Sequence, residues 1–158
     1  MDACDFEAAN QLLWQYIAPT VGNAGYAKTA LYPPELRGKQ KSVKLHRLIW
    51  ELRGMSPVAT LDHRNGDGLD CRFQNLRAAT PQQQAGNVPV SKNCKCGLKG
   101  VRWQPGSNRW TAQIGMNRRS VYLGSFKTKE DAGRAYDRAA LAHFGEFARL
   151  NFPQDGGK

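Results

Sequence analysis

Apolar side chains recur at Leu45, Leu48, Ile49 and Leu52, with Gly54 two positions on. The i, i+3, i+4, i+7 spacing predicts a short amphipathic helix stopped by glycine. Residues 58 to 61 are apolar enough for a strand, and the stretch from Asn65 to Asn75 is dense in Gly, Asp and Asn. Those residue types build structured turns, so a strand entering a loop is expected. Thr80 offers a capping hydroxyl ahead of Pro81, a residue suited to the first helical position. A second short helix should therefore run from about Pro81 to Asn87, completing a ββα arrangement.

Residues 88 to 97 lose all periodicity and mix Pro, Gly and polar side chains, as a connection between modules does. Beyond them Gly100 to Gln104, Arg109 to Met116 and Ser120 to Phe126 read as three antiparallel strands, separated by Pro105-Gly106-Ser107-Asn108 and Asn117-Arg118-Arg119. Alternation puts Val101, Trp103, Trp110, Ala112, Ile114, Val121 and Leu123 on one face. Arg102, Gln104, Arg109, Thr111, Gln113, Ser120 and Tyr122 fall on the other. Thr128 and Asp131 approximate a capping box for a helix running to Phe144 and ended by Gly145, with Ala132, Ala135, Tyr136 and Ala139 along one stripe. Phe147, Leu150 and Phe152 are expected to close the end of this core.

The fold class expected is α+β, a ββα unit followed by a three-stranded antiparallel sheet packed on one helix. The expected divisions are an N-terminal extension over residues 1–39, a first domain over 40–90, a linker over 91–96, a second domain over 97–153 and a tail over 154–158.

Charge sharpens the division. Residues 1 to 90 hold 10 Lys and Arg against 8 Asp and Glu, while residues 91 to 158 hold 13 against 5, a net +8 of the chain's +10. Such an excess favours an anionic partner, and it sits in the C-terminal part. No apolar run approaches the roughly 20 residues needed to span a bilayer, so a membrane partner is not expected. The opening Met1-Asp2-Ala3-Cys4-Asp5 lacks the basic and apolar regions of a secretory signal, which points to an intracellular setting. Cys4, Cys71, Cys94 and Cys96 form no C-x-x-C pair and read as reduced thiols rather than a zinc knuckle or disulfide framework.

The stretch Asp62-His63-Arg64-Asn65-Gly66-Asp67-Gly68-Leu69-Asp70-Cys71-Arg72-Phe73-Gln74-Asn75-Leu76-Arg77, followed by Ala78-Ala79-Thr80 and preceded by Leu45-His46-Arg47-Leu48-Ile49-Trp50-Glu51, resembles the HNH homing-endonuclease signature. The resemblance spans roughly residues 40 to 87 and implies hydrolysis of DNA phosphodiester bonds with one divalent metal ion, Mg2+ or Mn2+. Cutting a phosphodiester requires an activated water and a cation to offset charge on the phosphate. His63 can take the water's proton at neutral pH, and Asp62 supplies a hard carboxylate oxygen for the metal. Asn75 matches the family's middle Asn, whose implied role is to fix the loop and orient the histidine. Gln84 stands where the family carries His or Asn, a departure that alters ligand reach, and Asn87 lies one turn further along as a second amide ligand. His46 and His143 are read as structural.

Lys99-Gly100-Val101-Arg102-Trp103, Tyr122-Leu123-Gly124-Ser125-Phe126, Ala135-Tyr136-Asp137-Arg138-Ala139-Ala140 and Leu150-Asn151-Phe152-Pro153 together resemble the Apetala-two/ethylene-response-factor DNA-binding domain. In that family the sheet enters the major groove of double-stranded DNA, in agreement with the face assigned by alternation. The resemblance implies DNA contacts from Arg102, Arg109, Gln113 and Tyr122, with Lys99, Arg118 and Arg119 as further basic contacts. Gln104, Gly115 and Ser120 replace family arginines, so the plant proteins' sequence preference does not transfer. The implied protein is a homing-type endonuclease of a prokaryotic or virus-infected cell, with DNA as partner and no protein partner implied. The competing reading is a non-catalytic DNA-binding regulator with a degenerate HNH site.

Overall fold

A computed structural model describes residues 1–19, 25–29, 42–91, 93–117 and 119–153. The chain forms two compact units, Met1–Thr80 and Pro81–Lys158. Both are mixed α and β, in line with the α+β class expected.

The N-terminal unit opens with α1 (Ala3–Asn10), followed by the strands β1 (Gln15–Ile17), β2 (Tyr26–Thr29) and β3 (Val43–Lys44), which pair antiparallel in that order. Helix α2 (Leu45–Leu52) has the length its periodicity predicts, but it is rotated from the expected stripe. Leu45, His46, Ile49 and Trp50 are buried, whereas Leu52 is 46% exposed. The core joins Ala9, Leu45, Ile49, Trp50, Leu61, Cys71 and Leu76. Arg53, just past α2, bonds both Asp5 (3.0 Å) and Asp2 (3.2 Å), and Asp2 also accepts from the Phe73 amide (2.9 Å). The extension ahead of residue 40 is thus stitched into this unit by its first turn of helix.

The expected strand at 58–61 begins three residues later, as β4 (Leu61–His63). An α2 side chain claims the intervening carbonyls: Arg47 donates to Val58 O and Ala59 O, while the Trp50 indole donates to Ser56 O just before them. Strand β4 pairs antiparallel with β5 (Leu76–Ala78), placing Asp62 opposite Arg77 and His63 opposite Leu76.

The C-terminal unit holds α3 (Pro81–Gly86), β6 (Val101–Gln104), β7 (Arg109–Met116), β8 (Arg119–Phe126) and α4 (Lys129–Phe144). The strands form an antiparallel meander, and α4 packs on it with Ala132, Ala135, Tyr136 and Ala140 buried. Thr128 caps α4 by accepting the Asp131 amide at 3.1 Å.

Strict alternation does not hold through β8. Ala112 faces Gly124 while the next residue, Gln113, faces Tyr122, so Leu123 is the extra residue of a bulge. The bulge re-phases the strand and delivers Phe126 to the inner face beside Trp110. Trp103 and Val121, expected on the inner face, remain 39% and 38% exposed.

Two features show why the module's sequence pattern is what it is. Gly100 has φ +74, and a Cβ there would meet the Tyr136 ring at 2.1 Å and Gln113 O at 2.5 Å, so only glycine fits. The buried Asp137 carboxylate accepts the amides of Asn151 (2.8 Å) and Phe152 (2.9 Å), and the Asn151 side chain bonds both backbone groups of Lys99. The last segment is thereby tied to α4 and to the start of β6.

Helix α3 falls within this second unit, whereas composition places a linker at 91–96, after the helix. Its last residue, Gly86, lies so close to Phe144 that a Cβ would sit 2.7 Å from the ring. Gly86 O also accepts from the Arg149 amide (3.1 Å) and from Lys99 Nζ (2.8 Å).

Candidate functional site

The candidate nuclease residues of the N-terminal unit sit on the β4–β5 pair and the loop joining it. Asn75 is buried and its side chain pins that loop from inside. Its Nδ2 donates to Asp70 O (2.7 Å) and Asn65 Oδ1 (3.0 Å), and its Oδ1 accepts the Asn65 amide (3.1 Å). Asn65, Asp67 and Asp70 add turn bonds of their own, and Gly66 takes φ +76. Arg72 grips Asp70 through two nitrogens and holds its carboxyl well below the usual carboxylate range. The loop is therefore fixed before any ligand arrives.

His63 ends β4, half-buried, with Nε2 3.9 Å from the Cys71 sulfur. The His46 ring meets it edge-on, centroids 5.0 Å apart and planes at 87°. Burial lowers the His63 pKa from its ordinary 6.5, while Asp62, Asp67 and Asp70 pull it back up. The ring is thus neutral at pH 7 and able to accept a proton. Burial drives His46 further, to about 3, with the neighbouring His63 adding to the effect. Its Nδ1 is buried with no hydrogen-bond partner among the described residues. Burial also raises the Cys71 thiol to about 11, so it faces His63 as a neutral group.

Asp62 is buried and forms a cross-strand ion pair with Arg77, with Nε at 2.9 Å and a terminal nitrogen at 2.8 Å, both on Oδ2. Sequence reasoning missed this partner. Arg77 was visible only as the end of Asn-Leu-Arg, and nothing at a separation of fifteen residues marks a pair until the strand register is known. It also gave His46 only a structural role, whereas the helix rotation brings that ring onto His63.

Among the described residues no three His, Cys, Asp or Glu side chains gather as a metal-binding group. That donor set does not fit a zinc-type centre of three or four protein ligands. It fits a divalent ion of the hard, oxygen-preferring kind, which keeps several waters and uses one or two carboxylates plus substrate phosphates. Asp62, held by Arg77, is the carboxylate on the strand pair itself. Gln84, exposed, and Asn87, buried, belong to the C-terminal unit.

In the C-terminal unit the outer sheet face carries Arg102, Arg109, Gln113 and Tyr122, all exposed, with Tyr122 at 64%. The register lines up Gln104 with Arg109, Arg102 with Thr111 and Gln113 with Tyr122, which gathers these side chains on one surface. Two expected contacts move. Lys99 turns inward: its ammonium holds Gly86 O, lies 5.8 Å from the Tyr136 ring centre and is pushed by burial down to about 8. Arg119 pairs with Met116 and so falls on the opposite face from Tyr122. Arg118 lies outside the described residues.

A strand pair with an Asp-His end and an Asn-pinned loop is of the nuclease type, and a basic three-stranded sheet backed by one helix is of the DNA-binding type. Comparison with known families agrees: the HNH endonuclease family matches residues 43–85 and the AP2 domain family matches residues 96–146. The chain carries an HNH endonuclease domain followed by an AP2 domain. It is 35% identical over 112 residues to an uncharacterized HNH endonuclease of Acanthamoeba polyphaga mimivirus, covering 69% of this chain and 57% of that protein. It is 43% identical over 65 residues to Dehydration-responsive element-binding protein 2A of Arabidopsis thaliana, covering 40% of this chain and 19% of that protein. With Dehydration-responsive element-binding protein 1E of Oryza sativa subsp. indica it shares 34% identity over 102 residues, 63% of this chain and 46% of that protein. The matched stretches thus span from about a fifth to somewhat over half of these relatives. No helix among the described residues is long and apolar enough to cross a membrane.

Proposed function

We propose that this protein is a metal-dependent, homing-type DNA endonuclease, in which the HNH strand pair hydrolyses a phosphodiester bond and the AP2 sheet holds double-stranded DNA. The observation that carries the reading is His63: a neutral ring at a strand end, backed by His46 and Cys71, beside a loop that Asn75 has already fixed. In that position it takes the proton of the attacking water. A bound Mg2+ or Mn2+ would offset charge growing on the phosphate, and Asp62 would hold it. Asn75 acts through the loop, keeping His63 and Asp62 in place. On the AP2 sheet Arg102 and Arg109 pair with phosphates or guanine edges, Gln113 offers an amide to base edges and Tyr122 packs against the backbone.

One observation favours a second reading. Asp62 already neutralises Arg77 inside the fold, as it would in a DNA-binding regulator whose HNH domain no longer takes a metal. Supercoiled plasmid incubated with the protein and Mg2+ or Mn2+, beside EDTA and His63→Ala controls, separates the two. The nuclease gives nicked or linear DNA only with metal and only with His63; bound but intact plasmid in every lane supports the regulator.

A further inference from the structure

Outside the nuclease and DNA-facing residues, the described chain brings one pair of reactive side chains into contact. Cys94 and Cys96 lie just before β6 with their sulfurs 3.3 Å apart. A tight turn sets this up: the Gly97 amide donates to Cys94 O (3.1 Å), the Cys94 amide donates to Ser91 O (2.9 Å), and Gly97 takes φ +72. Both thiols are only half-buried. The Cys94 thiol donates to Leu98 O at 3.3 Å and the Cys96 thiol to Val101 O at 3.3 Å. Cys96 also packs against the core of Val101, Ala112, Ala132 and Ala135.

The other two cysteines differ in ways that matter. Cys71 is fully buried, and Cys4 is exposed and paired with Arg53 rather than with a thiol. Two thiols alone are too few for a structural zinc site, which takes four ligands. Two sulfurs in contact need to close only from 3.3 Å to the roughly 2.05 Å of a disulfide.

We propose that Cys94 and Cys96 form a redox-modification site, oxidised to an intramolecular disulfide by exchange with a small-molecule disulfide. Cys94, the outer of the two, attacks as thiolate on one sulfur of the oxidant, forming a mixed disulfide and releasing one thiol. Cys96 then gives up its proton and attacks the Cys94 sulfur, releasing the second thiol. One oxidant disulfide is reduced to two thiols for each Cys94–Cys96 bond made. Burial raises both thiols, but for Cys94 the hydrogen bonds from Cys96 and from the amides of residues 96 to 98 outweigh it, consistent with this order of attack. A ring closed across one intervening residue is strained, which makes the bond readily reduced again.

The test uses the full chain and oxidised glutathione. Two of the four thiols should disappear, with the mass of two hydrogens lost from the fragment holding residues 94 to 96, and a dithiol reductant should restore them. In Cys96→Ser a glutathione adduct should accumulate on Cys94; in Cys94→Ser residue 96 should stay unmodified. Cys4→Ser with Cys71→Ser should leave the oxidation unchanged. Four thiols persisting in the treated wild type, adducts on both cysteines without closure, or covalent dimers in place of the internal bond would overturn the proposal.

Discussion

The two units treat polar side chains in opposite ways. In the N-terminal unit Asp62 is 5% exposed, Asn75 7%, Arg77 8% and His46 8%, and all of them but His46 are held by side-chain bonds: Asp62 and Arg77 by their ion pair, Asn75 by its loop bonds. In the C-terminal unit Arg102 and Arg109 of the sheet are exposed on its outer face, while Asp137 and Lys99 turn inward and bond the backbone. Under the proposed function the contrast follows from what each task needs. A general base and a metal ligand gain from being positioned beforehand, since orientation is then not lost during reaction. Side chains that meet phosphates and base edges must remain accessible and charged. The same substitution therefore has different consequences in the two units.

The largest expected effect is on the rate. His63→Ala should lower cleavage by about 10²–10⁴-fold, the usual worth of a positioned general base, while leaving DNA affinity within twofold. The wild-type rate should rise with pH through a midpoint below 6.5 and level off at neutral pH, because burial lowers the His63 pKa and the base must be unprotonated. Next is stability. Arg77→Met removes the partner of a buried carboxylate and should cost about 3–5 kcal/mol in denaturant unfolding. An effect under about 1 kcal/mol would mean that Asp62 is already solvated.

Smaller effects are expected on the outer sheet face. Arg102→Ala or Arg109→Ala should each weaken DNA binding by about 1–3 kcal/mol if it reads a base, or reduce the salt slope by about one if it meets a phosphate. Neither should shift the melting temperature, as both side chains are exposed. Lys99→Met should do the reverse, loosening α3 and leaving the salt slope in place.

A separate effect is the acid dependence carried by His46. It titrates near 6.5 in the unfolded chain and at about 3 in the folded unit. Between those values the unfolded chain binds more protons, so stability present above pH 6.5 is lost as pH falls toward 3. Thermal melts of His46→Phe against wild type should show a shallower loss over that window; parallel curves would remove His46 from the account.

Much of this was legible in advance because it rests on local pattern. Periodicity located α2 and α4, the turn residues separated the three strands of the meander, and the Gly, Asp and Asn density from Asn65 to Asn75 located the structured loop of the candidate nuclease site. What escaped was set by contacts between distant residues. The Leu123 bulge depends on how β8 meets β7, and the inward turn of Lys99 depends on Gly86 thirteen residues earlier. The Asp62–Arg77 pair exists only once β4 and β5 are in register. The strand at 58–61 moved because Arg47 took the carbonyls of Val58 and Ala59, a competition no local propensity encodes.

The division of labour between the units is tested most directly by measuring binding and metal-dependent cleavage on the same duplex for His63→Ala and for the Arg102→Ala, Arg109→Ala double variant. The account predicts that the first binds as wild type and does not cut, while the second binds weakly yet cuts once protein concentration is raised or salt lowered. Cutting by His63→Ala at the wild-type rate, or wild-type binding by the double variant, would contradict it.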